Sequence, residues 1–302
     1  MLVTAVITTR SRPQYVHAAL ASVCAETYRE LEILVVDDGG TFDAAGVVLD
    51  RRVSVLRSHV GGVARARNVG LAAARGEFVI FLDDDDVALP NRIATLVEAA
   101  ERHRASLCFG MTRRVIAGSR AELPNVPTHV IAHDAVGFCD VLVCNPHVNA
   151  VLARTAMLRA VGGFDVEAPH FDDWSAWLRL ADRNVGMCSV GAVVAEWRIH
   201  DAGLSSQIIH LRAMKTRVLT LFDRLSGELS EENSRAIAIA RSVVISSEVN
   251  TYDDYANVMQ AARQVLHRHD QCLGNRVKSH GKMRGPVISE YLEAARHERA
   301  AK

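Results

Sequence analysis

Three runs of the chain are almost wholly apolar, and each stops abruptly at a polar cluster. Val3-Thr4-Ala5-Val6-Ile7-Thr8 runs into Thr9-Arg10, and Glu32-Ile33-Leu34-Val35-Val36 into Asp37-Asp38-Gly39-Gly40. Glu77-Phe78-Val79-Ile80-Phe81-Leu82 runs into Asp83-Asp84-Asp85-Asp86. Such short, β-branched runs suit strands buried on both faces, as in parallel sheets covered by helices. Val53-Ser54-Val55-Leu56 predicts one more short strand. Between the strands, Val16, Ala19, Leu20 and Val23 recur at helical spacing behind Pro13, which suits a first helical turn. Residues 63–74 read as a second helix, with Arg75-Gly76 expected to end it by a C-cap glycine. Pro90 is expected to open a third helix reaching residue 102. A β-α-β-α order with these patterns predicts an α/β domain built on a mostly parallel sheet.

Residues 108–169 are less regular, interrupted by Pro124, Pro127 and Pro146, and predict loops and short antiparallel strands. A helix is expected over 172–183 and strands over 187–190 and 192–197. Beyond residue 206 the pattern turns helical, with apolar stripes over 208–225, 237–245 and 255–266 and a last helix over 287–297. Residues 207–302 thus read as a helical C-terminal appendage.

Lys+Arg and Asp+Glu both number 35, so net charge gives no argument for a nucleic-acid partner. No apolar run reaches the roughly 20 residues that span a bilayer. The first residues lack a basic n-region and read as a buried strand. The expectation is a cytoplasmic protein, with peripheral membrane docking left open. The six cysteines form no CxxC pair and are expected to be buried free thiols.

In open parallel sheets, ligands bind beyond the carboxyl ends of the strands, which is where all three polar clusters fall. Four successive carboxylates repel one another unless a cation offsets them. Extended residues alternate faces, so Asp83 and Asp85 can point the same way. Such a pair suits Mg²⁺ or Mn²⁺, with substrate phosphates completing the shell. The competing reading is a solvated acidic turn ahead of the helix near Pro90. A calcium loop fits poorly, because Val87 and Leu89 stand where later ligands belong, and no P-loop sequence occurs. Gly61-Gly62 leads into a helix carrying Arg65 and Arg67, whose amides and guanidinium suit an anionic group.

Residues 1–205 resemble the inverting family 2 glycosyltransferases of GT-A fold. The resemblance rests on Val6-Ile7-Thr8-Thr9-Arg10 with Arg12-Pro13, Ile33-Leu34-Val35-Val36-Asp37-Asp38-Gly39, residues 62–70, and Phe81-Leu82-Asp83-Asp84-Asp85-Asp86. Downstream it takes in Gly162-Gly163-Phe164-Asp165, Asp172-Asp173-Trp174, and Trp197-Arg198-Ile199-His200. It implies a Rossmann-like sheet flanked by helices over 1–206, with a nucleotide-sugar half over about 1–107 and an acceptor half over about 108–206. By position, Thr8, Thr9, Arg10, Asp37, Asp38, Arg67, Asp83 and Asp84 would hold the nucleotide sugar. Asp85, with Asp83 and His200, would hold Mn²⁺ or Mg²⁺, although a one-residue slip within the run leaves the direct ligand open. Asp173 would be the general base, its neighbour Asp172 standing where the family has Glu. Asp172, Trp174, Asn149 and His147 are acceptor-side candidates.

The expected activity is transfer of a sugar, from UDP-sugar in preference to GDP- or dTDP-sugar, to an acceptor hydroxyl by metal-assisted single displacement. The acceptor is a glycan, a lipid-linked intermediate or a small molecule. The helical end offers a homodimer interface or a cover for the acceptor site. Two alternatives stand beside this: a catalytically silent nucleotide- or glycan-binding subunit, and a sugar-nucleotide pyrophosphorylase. Thr8-Thr9-Arg10-Ser11-Arg12-Pro13 lacks the glycine-rich loop expected of the latter.

Overall fold

The computed structural model describes residues 1–40, 42, 50–118, 121–123, 136–168, 170–200, 212–247 and 257–266. The expected helix over 287–297 and Cys272 lie outside them.

Among the described residues, nine strands form one mixed sheet. They are β1 (Val3–Thr9), β2 (Leu31–Asp37), β3 (Val53–Arg57), β4 (Phe78–Asp83), β5 (Val87–Ala88), β6 (Leu107–Ile116), β7 (Glu122–Leu123), β8 (Val151–Arg154) and β9 (Met187–Ile199). Their order is β3-β2-β1-β4-β8-β6-β9-β5, with β7 beside β6. The first four are parallel to one another, as the sequence predicts. The irregular middle supplies β8, antiparallel to both β4 and β6. The two strands expected over 187–197 are one continuous β9, parallel to β6 with a bulge near Met111.

Alternating residues of each buried strand feed two separate cores. Val6, Leu34, Val36, Val79 and Phe81 face one side of the sheet. Ala5, Ile7, Ile33, Val35, Ile80 and Leu82 face the other. The second side is covered by α1 (Pro13–Cys24) and α3 (Arg92–Arg102), through Val16, Leu20, Ile93 and Leu96. The first is covered by α2 (Val63–Ala73), α4 (Phe138–Cys144), α5 (Thr155–Ala160) and α6 (Asp172–Asp182). The same core also takes in α7 (Arg212–Leu225), α8 (Glu231–Ser246) and the helical segment 257–266.

That last fact redraws the expected boundary at residue 206. Val218, Leu221, Phe222, Ile237, Ala240, Val244 and Met259 are buried in the same cluster as Phe81, Trp174 and Trp177. Phe222 meets Trp174 edge-on at 5.6 Å. The compact unit runs from Met1 to Leu266, so these apolar stripes are used within the chain. Gly76 also differs from expectation: α2 ends with Ala74 as its cap. A Cβ on Gly76 would lie 2.5 Å from the Thr4 backbone nitrogen, so close approach to β1 is what requires glycine. Among the described residues no cysteine is in a disulfide; Cys108, Cys144 and Cys188 are buried, Cys24 and Cys139 half-buried. No helix among the described residues is long and apolar enough to cross a membrane.

Candidate functional site

Strand register assembles the site. Thr9 of β1 is paired with Asp37 of β2, and Thr8 with Asp83 of β4. The three polar clusters therefore end side by side. Arg10, one residue past β1, is exposed.

Asp37 and Asp38 are both buried but differently used. Asp37 accepts from the Phe42 backbone N–H at 2.9 Å and is ion-paired with Arg57. Asp38 accepts from the Gly61 N–H at 3.1 Å, and its Oδ2 is buried with no hydrogen-bond partner. Asp37 Oδ1 is likewise buried with no hydrogen-bond partner, so each carboxylate keeps an acceptor atom available, that of Asp38 beside the glycine turn that starts α2.

The four aspartates do not continue the strand as expected: β4 ends at Asp83, the Asp86 N–H donates to the Asp83 carbonyl at 3.1 Å to close a turn, and the four divide by burial. Asp84 and Asp86 are buried, while Asp83 and Asp85 are partly open. Asp84 accepts from the Thr9 hydroxyl at 2.6 Å and from Arg12. Burial pushes its carboxyl up to about 7 against the pull of Thr9 and Arg12. Asp86 accepts from the Arg198 N–H at 2.7 Å and from the Asn149 side-chain amide, and burial raises its pKa well above the carboxylate range. Asn149 also accepts from the Asp83 N–H at 3.1 Å, and its own carbonyl accepts from Arg92 Nε at 2.8 Å. Fully buried Asn149 therefore braces the aspartate turn from below; both ends of its amide are spent there.

Asp83 and Asp85 each face an arginine. Arg67 donates to Asp83 at 2.6 Å and to Asp172 at 2.7 Å, with its guanidinium over the Phe164 ring at 5.5 Å. Burial opposes ionisation of Asp83, but Arg67 leads the charges that hold its pKa below the usual range. Asp85 Oδ2 accepts from Arg12 Nη1 at 2.7 Å and lies 3.1 Å from His200 Nε2. The His200 ring stacks on Tyr15 at 4.7 Å. Among the described residues no three His, Cys, Asp or Glu side chains converge as a ready-made metal cage. A carboxylate and an imidazole meeting at one point nevertheless fit a Mg²⁺ or Mn²⁺ ion that takes its other ligands from water and substrate phosphates.

Asp172 and Asp173 open α6, where acidic residues favour the helix dipole. Asp172 is buried against Arg67, and burial outweighs that cation to raise its pKa. Asp173 is partly open, accepts from the Trp174 N–H at 2.7 Å, and is pushed up to about 7 by burial and then by Asp172. A carboxyl poised there can take a proton near neutral pH.

Two acceptor-side candidates, Trp174 and Asn149, are placed otherwise, while half-buried His147 stays within reach of the Asp83 and Asp85 charges. Trp174 is fully buried, its indole N–H donating to the Val141 carbonyl at 2.9 Å, which leaves no face for a sugar. Asn149 is the brace just described. His147 packs on Trp197 at 4.9 Å, accepts from the Asn149 N–H through Nδ1 at 3.4 Å, and is pushed down to about 4 by burial. The sequence reading gave no role to Arg12, Arg57, Asp86 or Arg198. Arg12 carried a signal as a cation directly before Pro13 at the carboxyl end of β1, Asp86 as the last of the acidic run and Arg198 within Trp197-Arg198-Ile199-His200, whereas Arg57 carried none.

Residues 4–133 match the model of the family described as glycosyl transferase family 2. The chain is 26% identical over 210 residues to the UDP-Glc:alpha-D-GlcNAc-diphosphoundecaprenol beta-1,3-glucosyltransferase WfgD of Escherichia coli, covering 68% of this chain and 80% of that protein. In fold it is similar to S. aureus TarS 1-349 in complex with UDP-GlcNAc, with a TM-score of 0.66 at 15% identity over 92% of this chain and 93% of the other. It is also similar to the mannosyltransferase PcManGT of Pyrobaculum calidifontis in complex with GDP-Man and Mn2+, with a TM-score of 0.57 at 14% identity over 99% and 80%.

Proposed function

We propose, for a chain that belongs to glycosyl transferase family 2 through residues 4–133, that it transfers a sugar from a UDP-sugar to a hydroxyl of a lipid-linked acceptor with inversion. The observation that carries the reading is the Arg67 fork, which ties donor-side Asp83 to Asp172 beside Asp173. Strand-end donor residues and a carboxyl base thereby share one site. The lipid-linked acceptor is suggested by the activity in the E. coli relative's name, and the absence of a membrane-crossing helix among the described residues is compatible with docking at a membrane surface.

In this mechanism Asp37 and Asp38, each with an unspent oxygen, and the glycine turn at 61–62 bind the base end of the nucleotide. Asp83 orients the ribose. Asp85 and His200 would hold a Mg²⁺ or Mn²⁺ ion, which when bound would offset charge on the departing diphosphate. Asp173 takes the proton of the acceptor hydroxyl as its oxygen attacks the anomeric carbon. The burial that raises its pKa makes it a stronger base than an exposed aspartate.

The test is nucleoside diphosphate release from UDP-glucose with a polyprenyl-diphosphate sugar acceptor. Release that needs acceptor and divalent metal, and that fails in Asp173→Asn and with EDTA, is expected. Release unchanged in Asp173→Asn refutes the base; nucleotide-sugar binding unaffected by EDTA and by Asp85→Ala refutes the metal pair.

A further inference from the structure

One carboxylate oxygen at the centre of the site is claimed twice. Asp85 Oδ2 accepts from Arg12 Nη1 at 2.7 Å and lies 3.1 Å from His200 Nε2. Resting on the reading of Asp85 and His200 as a metal pair, a divalent cation would seat at about 2.0–2.2 Å from a carboxylate oxygen. A guanidinium already on that oxygen opposes it twice, by using its lone pair and by like-charge repulsion.

The two ends of Arg12 are held unequally. Asp84, which accepts from the other guanidinium nitrogen, has no exposed side-chain surface and is pinned by Thr9. Asp85 and Arg12 are 14% and 30% exposed, so water and ligands can reach the Asp85 end. The guanidinium also lies 5.9 Å from the centroid of the Tyr15 ring, which itself stacks on His200. Arg12 can therefore leave Asp85 while keeping Asp84 and Tyr15.

We propose that Arg12 is an exchangeable resident cation that sets when metal binds. In the ligand-free protein it occupies Asp85 and weakens binding of metal alone. When metal arrives with a nucleoside diphosphate, Arg12 releases Asp85 and its freed N–H groups serve the added phosphate charge. The consequence is that metal and donor bind together and the bare site resists filling by free cation.

The test is titration of the full chain with Mn²⁺, following the resonance of free Mn²⁺, without nucleotide and then with UDP. Without nucleotide, Arg12→Gln is expected to bind Mn²⁺ more tightly than the natural protein by about tenfold, the scale of one charge-assisted hydrogen bond. Arg12→Lys, which keeps a cation for Asp84 but cannot fork onto two carboxylates, should fall between them, and it serves where Arg12→Gln does not fold. With UDP present the difference should shrink. Mn²⁺ affinity unchanged or lowered in both variants overturns the exchange while leaving the metal pair standing, and so does a difference that UDP leaves intact. Mn²⁺ bound equally well by Asp85→Asn overturns the metal pair and this inference with it.

Discussion

Replacing Arg67 with leucine isolates the contact on which the site's assembly depends. Two charge-assisted hydrogen bonds are lost, to Asp172 at 2.7 Å and to Asp83 at 2.6 Å, along with the guanidinium over Phe164. Arg67 and Asp172 side chains are 6% and 4% exposed, so water cannot replace that bond, whereas Asp83 at 24% rehydrates in part. Breaking a buried pair by removing one partner costs about 3–5 kcal/mol. Partial rehydration and proton uptake by Asp172 place this case near about 3 kcal/mol at neutral pH. The pH dependence has a definite sign. Asp172 already has a raised pKa, and without Arg67 its folded-state pKa rises further. A group raised on folding contributes its stability below its unfolded pKa and loses it as pH climbs through the folded one. The deficit of Arg67→Leu should therefore be larger near pH 8 than near pH 5. Urea unfolding at both pH values measures it, the midpoint moving with an unchanged slope. A double-mutant cycle with Asp172→Asn should give a coupling of about 1.5–3 kcal/mol. A loss under about 1 kcal/mol, a deficit that grows as pH falls, or strict additivity refutes the reasoning.

Three further outcomes are expected. Because Asp173 is pushed up to about 7, kcat/KM for nucleoside diphosphate release should rise with pH through that region and level off above it, and a flat profile from pH 6 to 8 would speak against this base. Asn149→Leu keeps the side-chain volume but unpairs the Asp83 N–H and one Asp86 oxygen, costing about 2–4 kcal/mol in urea unfolding, with anything under about 0.5 kcal/mol removing the brace. Truncation after residue 206 removes Val218, Phe222 and Ile237 from the shared core, so the remainder should show no cooperative melt by circular dichroism, and a native-like melt would restore the two-domain reading.

What could be read from the sequence follows the range of the interactions. β1, β2 and β4 were legible because burial on both faces leaves a local apolar signature, and their polar ends marked the site. Arg12–Asp84 and Asn149–Asp83 were not, because they join residues 72 and 66 positions apart and exist only through strand register. The stripes of α7 and α8 announced buried faces without saying what covers them; the cover is the core around Trp174. Gly76 was misread because a glycine after a helical pattern resembles a cap, while its cause lies across the sheet at Thr4. Trp174 reads as an acceptor-side candidate from its neighbours Asp172-Asp173, and its place among Phe171, Phe222 and the Val141 carbonyl makes it core.

The turn after β4 explains how four adjacent carboxylates are tolerated. The strand ends at Asp83 and the run turns, the Asp86 N–H donating to the Asp83 carbonyl at 3.1 Å, so the run is two pairs with different work. Asp84 and Asp86 point inward, where burial lifts one pKa to about 7 and the other well above the usual range, and repulsion along the run is relieved by partial protonation. Their partners, the Thr9 hydroxyl and Arg12 for Asp84 and the Asn149 amide and Arg198 N–H for Asp86, all donate, so asparagine keeps one bond of each pair and sets an N–H against the other donor. Asp83 and Asp85 point to the opening and face Arg67 and Arg12. The isosteric series then has an alternating outcome. Asp84→Asn and Asp86→Asn should cost about 1–3 kcal/mol of stability and leave UDP–Mn²⁺ affinity within about threefold. Asp83→Asn and Asp85→Asn should each lower that affinity by at least about tenfold. Calorimetric titration of the four variants decides the matter: equal losses across the run would mean that the aspartates act as one diffuse negative patch, and the division by burial would fall.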